Sequence, residues 1–308
     1  MSGVLIYSEK TGLTLELASA AQQMEAGQVY ALVINNGPGA DELSANGLQV
    51  FVVNSPELVT ADTVGIASVL VEAADKLGSD TILLSSDRRG KELAGRVAAS
   101  LDAGCLTDVK GFEVESGQIA FVRNALGGAT VATQTVKTSK RVIAVSPLSF
   151  PPQAAATGGS VQTLEIIVPA PTVRLVDTHR KAGDSIDLRT AERLVIVGQG
   201  VEKHDDLEFV DQVARLLKAE IGCSKPVATD KKWYPEDRII GLSGKTCKPA
   251  LALILGVSGQ VQFTVGIREA QMVVSINNDE NAFMNKISDY VLVADLNEVL
   301  PELVKALA

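Results

Sequence analysis

Two rhythms of apolar and polar residues alternate along this chain. VLIYSE (4–9), QVYALVIN (28–35), LQVFVVN (48–54) and DTILLSS (80–86) are short runs dense in Val, Ile and Leu, the composition of buried strands. Between them LELASAAQQMEAG and residues 62–77 space their apolar positions for one helix face. LAGRVAASLDAG does the same after a polar turn, DRRGKE at 87–92. Strands alternating with helices predict βαβ units and a largely parallel sheet. The rhythm then changes. VKGFEVESGQIAFVRNALGGATVATQTV predicts antiparallel strands joined by Gly-containing turns, and RVIAVSP (141–147) a closing strand.

From 147 to about 190 the chain is rich in Pro, Gly and polar residues, which predicts a crossover partly paired to the first sheet, with a hinge at the polar joint near 187. The second half restarts the α/β rhythm. RLVIVGQG (193–200), LALILGVSG (251–259), MVVSINND (272–279) and YVLVADL (290–296) read as strands, DLEFVDQVARLLKAE and the terminal EVLPELVKALA as helices. The expected organisation is α/β in two domains. Residues 1–187 form a mixed, mostly parallel sheet with helices, and 188–308 a doubly wound, flavodoxin- or Rossmann-like domain.

Composition narrows the function. With 308 residues, 46% of them hydrophobic, the chain can bury two cores. A net charge of −9 argues against nucleic acid or an anionic membrane surface as a general partner. Cys105, Cys223 and Cys247 form no C-x-x-C pair and read as reduced thiols, and His179 and His204 lie in polar stretches, poor material for a metal site or a triad. No apolar run reaches membrane-spanning length, and the N-terminus enters a strand without a signal-peptide core, so a cytoplasmic location is expected.

Three glycine-rich turns carry candidate chemistry. IGLSGKTCK (240–248) contains Gly-Lys-Thr, yet a phosphate loop needs glycine five positions before Gly244, where Ile239 stands, and Pro249 spoils the following helix. NTPase chemistry is rejected. GQG (198–200) fails as a dinucleotide fingerprint because Lys203 takes the third glycine position. Gly256-Val257-Ser258-Gly259-Gln260 follows a fully apolar strand and reads either as a bland turn or as a set of backbone donors for a pyrophosphate. With Asn277 and Asp295 ending later strands, these turns predict a long crevice for an extended, two-phosphate ligand.

The run CSKPVATDKKWYPEDRIIGLSGKTCKPALALILGVSGQVQF, followed by SINNDENAF and ISDYVLVADL, resembles the alpha subunit of electron-transfer flavoproteins. That subunit typically reads Ser-Arg, VGQTGK, GISGAIQH, INKDPEAPIF and VADYGIVADL in the same order. The DRRGK loop, the Trp-containing approach to IGLSG and the GVSGQ variant look closest to the Fix- and carnitine-associated branch. The resemblance implies an electron carrier, not a self-sufficient enzyme. It implies one FAD, a heterodimer with a beta subunit that completes the pocket and itself holds AMP or a second FAD, an acyl-CoA-type dehydrogenase partner, and a quinone reductase or ferredoxin-type acceptor.

Carried over by position, the resemblance places Gln199 in a turn that usually holds Arg, and Ser224 and Lys225 beside the flavin. Ile240, Gly241, Leu242 and Ser243 take the VGQT positions. Ser258, Gly259, Gln260, Val261, Gln262 and Phe263 wrap ribityl and phosphates, and Asn277 and Asp295 meet the adenosine end. Four positions depart from the family pattern: Gln199 and Lys225 replace Arg, Leu242 replaces Gln, and Phe263 replaces His. Each removes a donor, or a planar cation, from where reduced flavin gathers negative charge. These losses favour an alternative, a non-redox adenine-nucleotide binder on the same scaffold.

Overall fold

Strand β1 (Gly3–Tyr7) shows why the apolar runs are strands. Val4 and Ile6 enter one buried cluster while Leu5 and Tyr7 enter another, so the run is apolar on both faces. The computed structural model describes residues 3–25, 27–115, 118–126, 130–152, 158–177 and 187–308. It divides the chain into two compact units, Met1–His179 and Arg180–Ala308. The joint expected near 187 falls largely among 178–186, outside the described residues.

In the first unit β1 is followed by α1 (Thr11–Gln23), β2 (Val29–Ile34), α2 (Gly37–Ala45), β3 (Gln49–Val53), α3 (Thr63–Lys76), β4 (Ser79–Ser85) and α4 (Arg88–Leu101). Then come β5 (Gly104–Glu115), β6 (Gln118–Ala125), β7 (Thr130–Thr135), β8 (Arg141–Val145) and β9 (Ser160–Thr163). The sheet order is β7-β6-β5-β8-β4-β1-β2-β3-β9. β5, β6 and β7 pair antiparallel, as the sequence predicts, and the other pairings are parallel. The expected closing strand, β8, is inserted between β4 and β5 rather than at an edge. The crossover does pair with the sheet, through β9 on β3.

Two local readings need correction. Residues 88–92, expected as part of a polar turn, are the first turns of α4, because Asp87 caps the helix by accepting from the Gly90 N–H at 2.9 Å. Helix α2 was not anticipated. Its start is set by Asn36, whose side chain accepts from the Gly39 N–H at 3.1 Å, and by a proline in the first turn.

Asp62 pins the chain that returns over this unit. Its fully buried carboxylate accepts from the Gly65 N–H at 3.0 Å, capping α3, and from the Thr172 N–H and hydroxyl at 2.7 and 2.6 Å. Burial alone would raise its pKa, but these hydrogen bonds overcome that and hold it below the usual value.

The second unit contains β10 (Arg193–Val197), α5 (Leu207–Leu217), β11 (Glu220–Cys223), α6 (Lys225–Thr229), β12 (Leu251–Leu255), α7 (Val261–Thr264), β13 (Val273–Asn277), α8 (Phe283–Lys286), β14 (Tyr290–Val293) and α9 (Leu296–Leu307). Its five strands are all parallel in the order β11-β10-β12-β13-β14, the flavodoxin-like arrangement. Alternation again explains the apolar runs: Leu194, Ile196, Ala252 and Ile254 face one core, and Val195, Val197, Leu253 and Leu255 face the other. The helix expected over 206–220 stops at Leu217. Lys218 takes φ 52°, the left-handed region, and Glu220 opens β11. Among the described residues no helix is long and apolar enough to cross a membrane.

Candidate functional site

Because all five strands of the second unit run parallel, their carboxyl ends share one edge, and the order reverses between β10 and β12. Connections leave such a point toward opposite faces and open a crevice for ligands. Here the turns after β10 and β12 are locked together. The Gly198 N–H donates to the Leu255 carbonyl at 2.7 Å and the Gly200 N–H to the Gly256 carbonyl at 2.9 Å. A Cβ on Gly198 would lie 2.2 Å from the Gly256 oxygen, and one on Gly256, at φ 62°, would lie 2.7 Å from the Gly200 Cα. Only glycine permits this approach.

A second lock joins the 240–245 turn to α7. The Leu242 N–H donates to the Gln262 carbonyl at 2.7 Å, and Gly241, at φ 131°, would place a Cβ 2.4 Å from that same oxygen. Ile240 is tied back by its N–H to the Cys223 carbonyl at 2.9 Å, and Ser224 by its N–H to the Val197 carbonyl at 2.9 Å. Main-chain bonds thus link the turns carrying Gln199, Ser224, Ile240–Ser243 and Ser258–Phe263 at one end of the sheet.

The sequence-predicted residues do not all present side chains there. Gln199, Lys225, Leu242, Ser243, Ser258, Gln260, Val261 and Gln262 are exposed. Ile240 and Phe263 instead pack into the core cluster with Ile196, Ile254 and Met284, because the loops fold their apolar side chains under the turns. Asn277 is buried and committed: its side-chain amide donates to the Val257 carbonyl at 2.9 Å while its oxygen accepts from the Asp279 N–H at 3.1 Å. Asp295 caps α9, accepting from the Asn297 N–H at 2.8 Å, and lines a cavity of about 20 Å³ with Gly200, Glu202 and Gly256. That space admits a water molecule and nothing larger. An extended ligand would therefore lie across the open loops.

Lys231 escaped the sequence reading. Its ammonium donates to the carbonyls of Gln199, at 3.1 Å, and Val201, and sits 4.1 Å from the centre of the Trp233 ring. Desolvation lowers its pKa, partly offset by Glu202. It clamps the glycine turn after β10 from 30 residues downstream, so no local pattern could reveal it. Burial pushes the Cys223 thiol up to about 12 and the Cys247 thiol up to about 11, which keeps both neutral. Among the described residues no group of three or more His, Cys, Asp or Glu is placed to hold a metal.

The donor chemistry of these loops suits a pyrophosphate-bearing ligand. Residues 239–267 contain no Asp or Glu, in a chain that has 37 of them. Among the described residues the N–H groups of Ser258, Gly259, Gln260, Val261 and Gln262 donate to no main-chain carbonyl. Helix α7 has only four residues, so these groups act as individual donors and not through a macrodipole.

The chain matches the electron transfer flavoprotein domain over residues 7–170 and the electron transfer flavoprotein FAD-binding domain over residues 187–268. FixB of Escherichia coli O157:H7 is 31% identical over 313 residues, covering 100% of this chain and 98% of the relative, and FixB of Shigella flexneri gives the same figures. The protein YdiR of Escherichia coli K12 is 31% identical over 310 residues, covering 100% of this chain and 99% of the relative. Among solved structures, MurG of Acinetobacter baumannii gives a TM-score of 0.36 at 13% identity over 100% of this chain and 93% of that one, too remote to bear on the fold. Two family matches in sequence order, joined to full-length likeness with FixB, place the chain in the electron-transfer flavoprotein family as an alpha-type, FixB-like member.

Proposed function

We propose that this chain is the alpha subunit of a heterodimeric electron carrier, with residues 188–308 holding one FAD and residues 1–187 facing a beta subunit. The observation that carries the proposal is the pair of locked glycine turns at the switch point of β10 and β12, beside a carboxylate-free run of free backbone donors. When bound, the flavin supplies electron storage and the adenine dinucleotide a handle. The chain's own work is to bind and orient it. The N–H groups of Ser258–Gln262 meet the pyrophosphate, Ser243 and Gln262 the ribityl chain, and Asp295 the adenosine end, with Asn277 holding the Val257 carbonyl in place. Lys225, exposed at the start of α6, supplies a cation near the isoalloxazine, with Ser224 beside it.

The open groove gives the beta subunit its task of covering the cofactor and excluding water, while itself holding AMP or a second FAD. A flavin dehydrogenase of acyl-CoA type fits on the donor side, and a quinone reductase or ferredoxin-type protein on the acceptor side.

Co-expression with a beta-type subunit, followed by reconstitution with excess FAD, tests the reading. The purified pair is expected to carry one flavin absorbing near 450 nm. A colourless pair that takes up ADP but no FAD would instead establish the non-redox nucleotide binder, which the exposed, uncharged Gln199 and Leu242 favour.

A further inference from the structure

An open sheet has two edge strands, and an uncovered edge is a template for a further strand. In the first sheet the edges are β7 and β9, rich in Thr, Ser and Gln. In the second, β11 is covered by its own chain. The Ile240 N–H donates to the Cys223 carbonyl at 2.9 Å, and the Arg238 guanidinium to the Ile221 carbonyl at 2.8 Å. The opposite edge, β14, reads YVLV and has no such cover among the described residues. Tyr290, Val291, Leu292 and Val293 are 61, 45, 46 and 49% exposed, and none enters a core cluster.

Short flanking layers explain this. Register with β13 sets Val291 beside Ser275 and Leu292 beside Ile276, on opposite faces of the sheet. Over Ser275 lies α8, only four residues long, whose Asn285 side chain accepts from the Ser275 hydroxyl at 2.9 Å. Over Ile276 lies α9, whose Leu296 and Leu300 join the cluster of Leu253, Leu255 and Ile276. Both helices cover β12 or β13 and leave β14 bare. The main chain is open too. The Asp289 N–H donates inward to the Val273 carbonyl at 2.9 Å, so by alternation the N–H and C=O groups of Tyr290 and Leu292 point away from the sheet.

A second copy of this chain cannot complete the edge. Pairing β14 with itself would satisfy the outward groups, but the copy's strand is equally bare, so the side chains of both would still meet water above and below. The occupant must bring its own apolar layer, and so is a different fold. Charge describes it further: residues 279–302 carry six Asp or Glu and one Lys, which favours a segment flanked by Lys or Arg. Position describes it as well. Strand β14 leads directly into Asp295, which lines the small cavity with Gly200 and Gly256, so a subunit that covers the flavin groove passes the end of this edge. We infer, on the reading proposed above, that a beta-type subunit adds an extended segment to β14 as a sixth strand and lays apolar side chains over both of its faces.

The test is hydrogen exchange, resolved to single amides, on the chain alone and on its pair with a beta-type subunit. The Tyr290 and Leu292 amides should exchange at least about tenfold more slowly in the pair. Leu292→Lys changes a side chain that is exposed in the chain alone, so the urea midpoint of the chain alone should stay within about 0.3 M of the parent's. In the pair it buries an unpaired charge and should weaken association at least about tenfold. Leu216→Lys, at a 40% exposed position on α5, should leave association within about threefold. A yellow pair whose Tyr290 and Leu292 amides exchange as in the chain alone overturns the inference and leaves the electron-carrier reading standing. A colourless pair with those amides protected does the reverse, and failure to pair overturns both. Equal weakening by the two Lys variants, or protection in the chain alone that grows with its concentration, also overturns the inference.

Discussion

Gly256→Ala puts the locked turns to the test. Gly256 sits at φ 62°, and an added Cβ would lie 2.7, 2.9 and 3.1 Å from the Cα, C and N of Gly200, all of them backbone atoms that cannot rotate away. An alanine held in the left-handed region costs about 1–2 kcal/mol. Relief of the clash must also push the two turns apart, stretching the 2.9 Å bond from the Gly200 N–H to the Gly256 carbonyl, worth about 0.5–1.5 kcal/mol. Together the second unit should lose about 1.5–3.5 kcal/mol. Trp233 is the single tryptophan and lies in that unit, so urea unfolding followed by its fluorescence reads the second unit directly. With a slope of about 1–3 kcal/mol/M, the midpoint should fall by about 0.5 M or more. Flavin uptake by the pair should weaken in parallel. A midpoint within about 0.3 M of the parent's would show that the turns are slack and that the glycine argument is wrong.

Three further outcomes follow. Gly95 lies exposed inside α4 with nothing within 4 Å of an added Cβ, so Gly95→Ala should stabilise the first unit by about 0.5–1 kcal/mol, read by far-ultraviolet circular dichroism in urea. Asp62→Asn should destabilise that unit by about 1.5–3 kcal/mol at pH 7. Since the folded carboxyl titrates below its unfolded value of about 3.9, the parent's advantage is full above that pH and shrinks as pH falls through the folded value; a gap of constant size down to pH 2 would contradict this. Lys231→Met keeps the bulk but removes both carbonyl contacts and the cation over Trp233, and should cost about 1–2 kcal/mol with a shift in Trp233 emission.

The central strands were legible because they are buried on both faces, so runs such as LVIV and LALIL carry no polar interruption. What escaped depends on single capping or backbone events. Asn36 starting α2, Asp87 starting α4 inside a charged stretch, and Lys218 ending α5 two residues before β11 leave no periodic trace. The same division holds at the candidate site. Glycines at strand ends were visible, but that Gly198, Gly200 and Gly256 interlock is a contact across more than 50 residues of chain. The inward turn of Phe263 was equally hidden, since VQFT alone does not say which side of a four-residue helix meets the core.

That inward turn changes the weight of the four departures from the family pattern. Gln199, Lys225 and Leu242 stand exposed at the strand ends, where on the proposed reading substitution alters what the cofactor meets. Phe263 belongs with Ile240 and Met284 in the core, so a histidine there would first have to bury a polar ring. Backbone N–H groups carry no such dependence on side-chain identity. The donors of Ser258–Gln262 persist whatever residues occupy those positions, provided Gly241 and Gly256 keep the turns closed. On the proposed reading, cofactor retention then rests on glycine geometry and the electrostatic environment of the ring on Lys225. Gly256→Ala should therefore weaken flavin uptake, whereas Lys225→Met should spare uptake and lower the reduction potential of the bound flavin, a separation that side-chain-dominated binding would not produce.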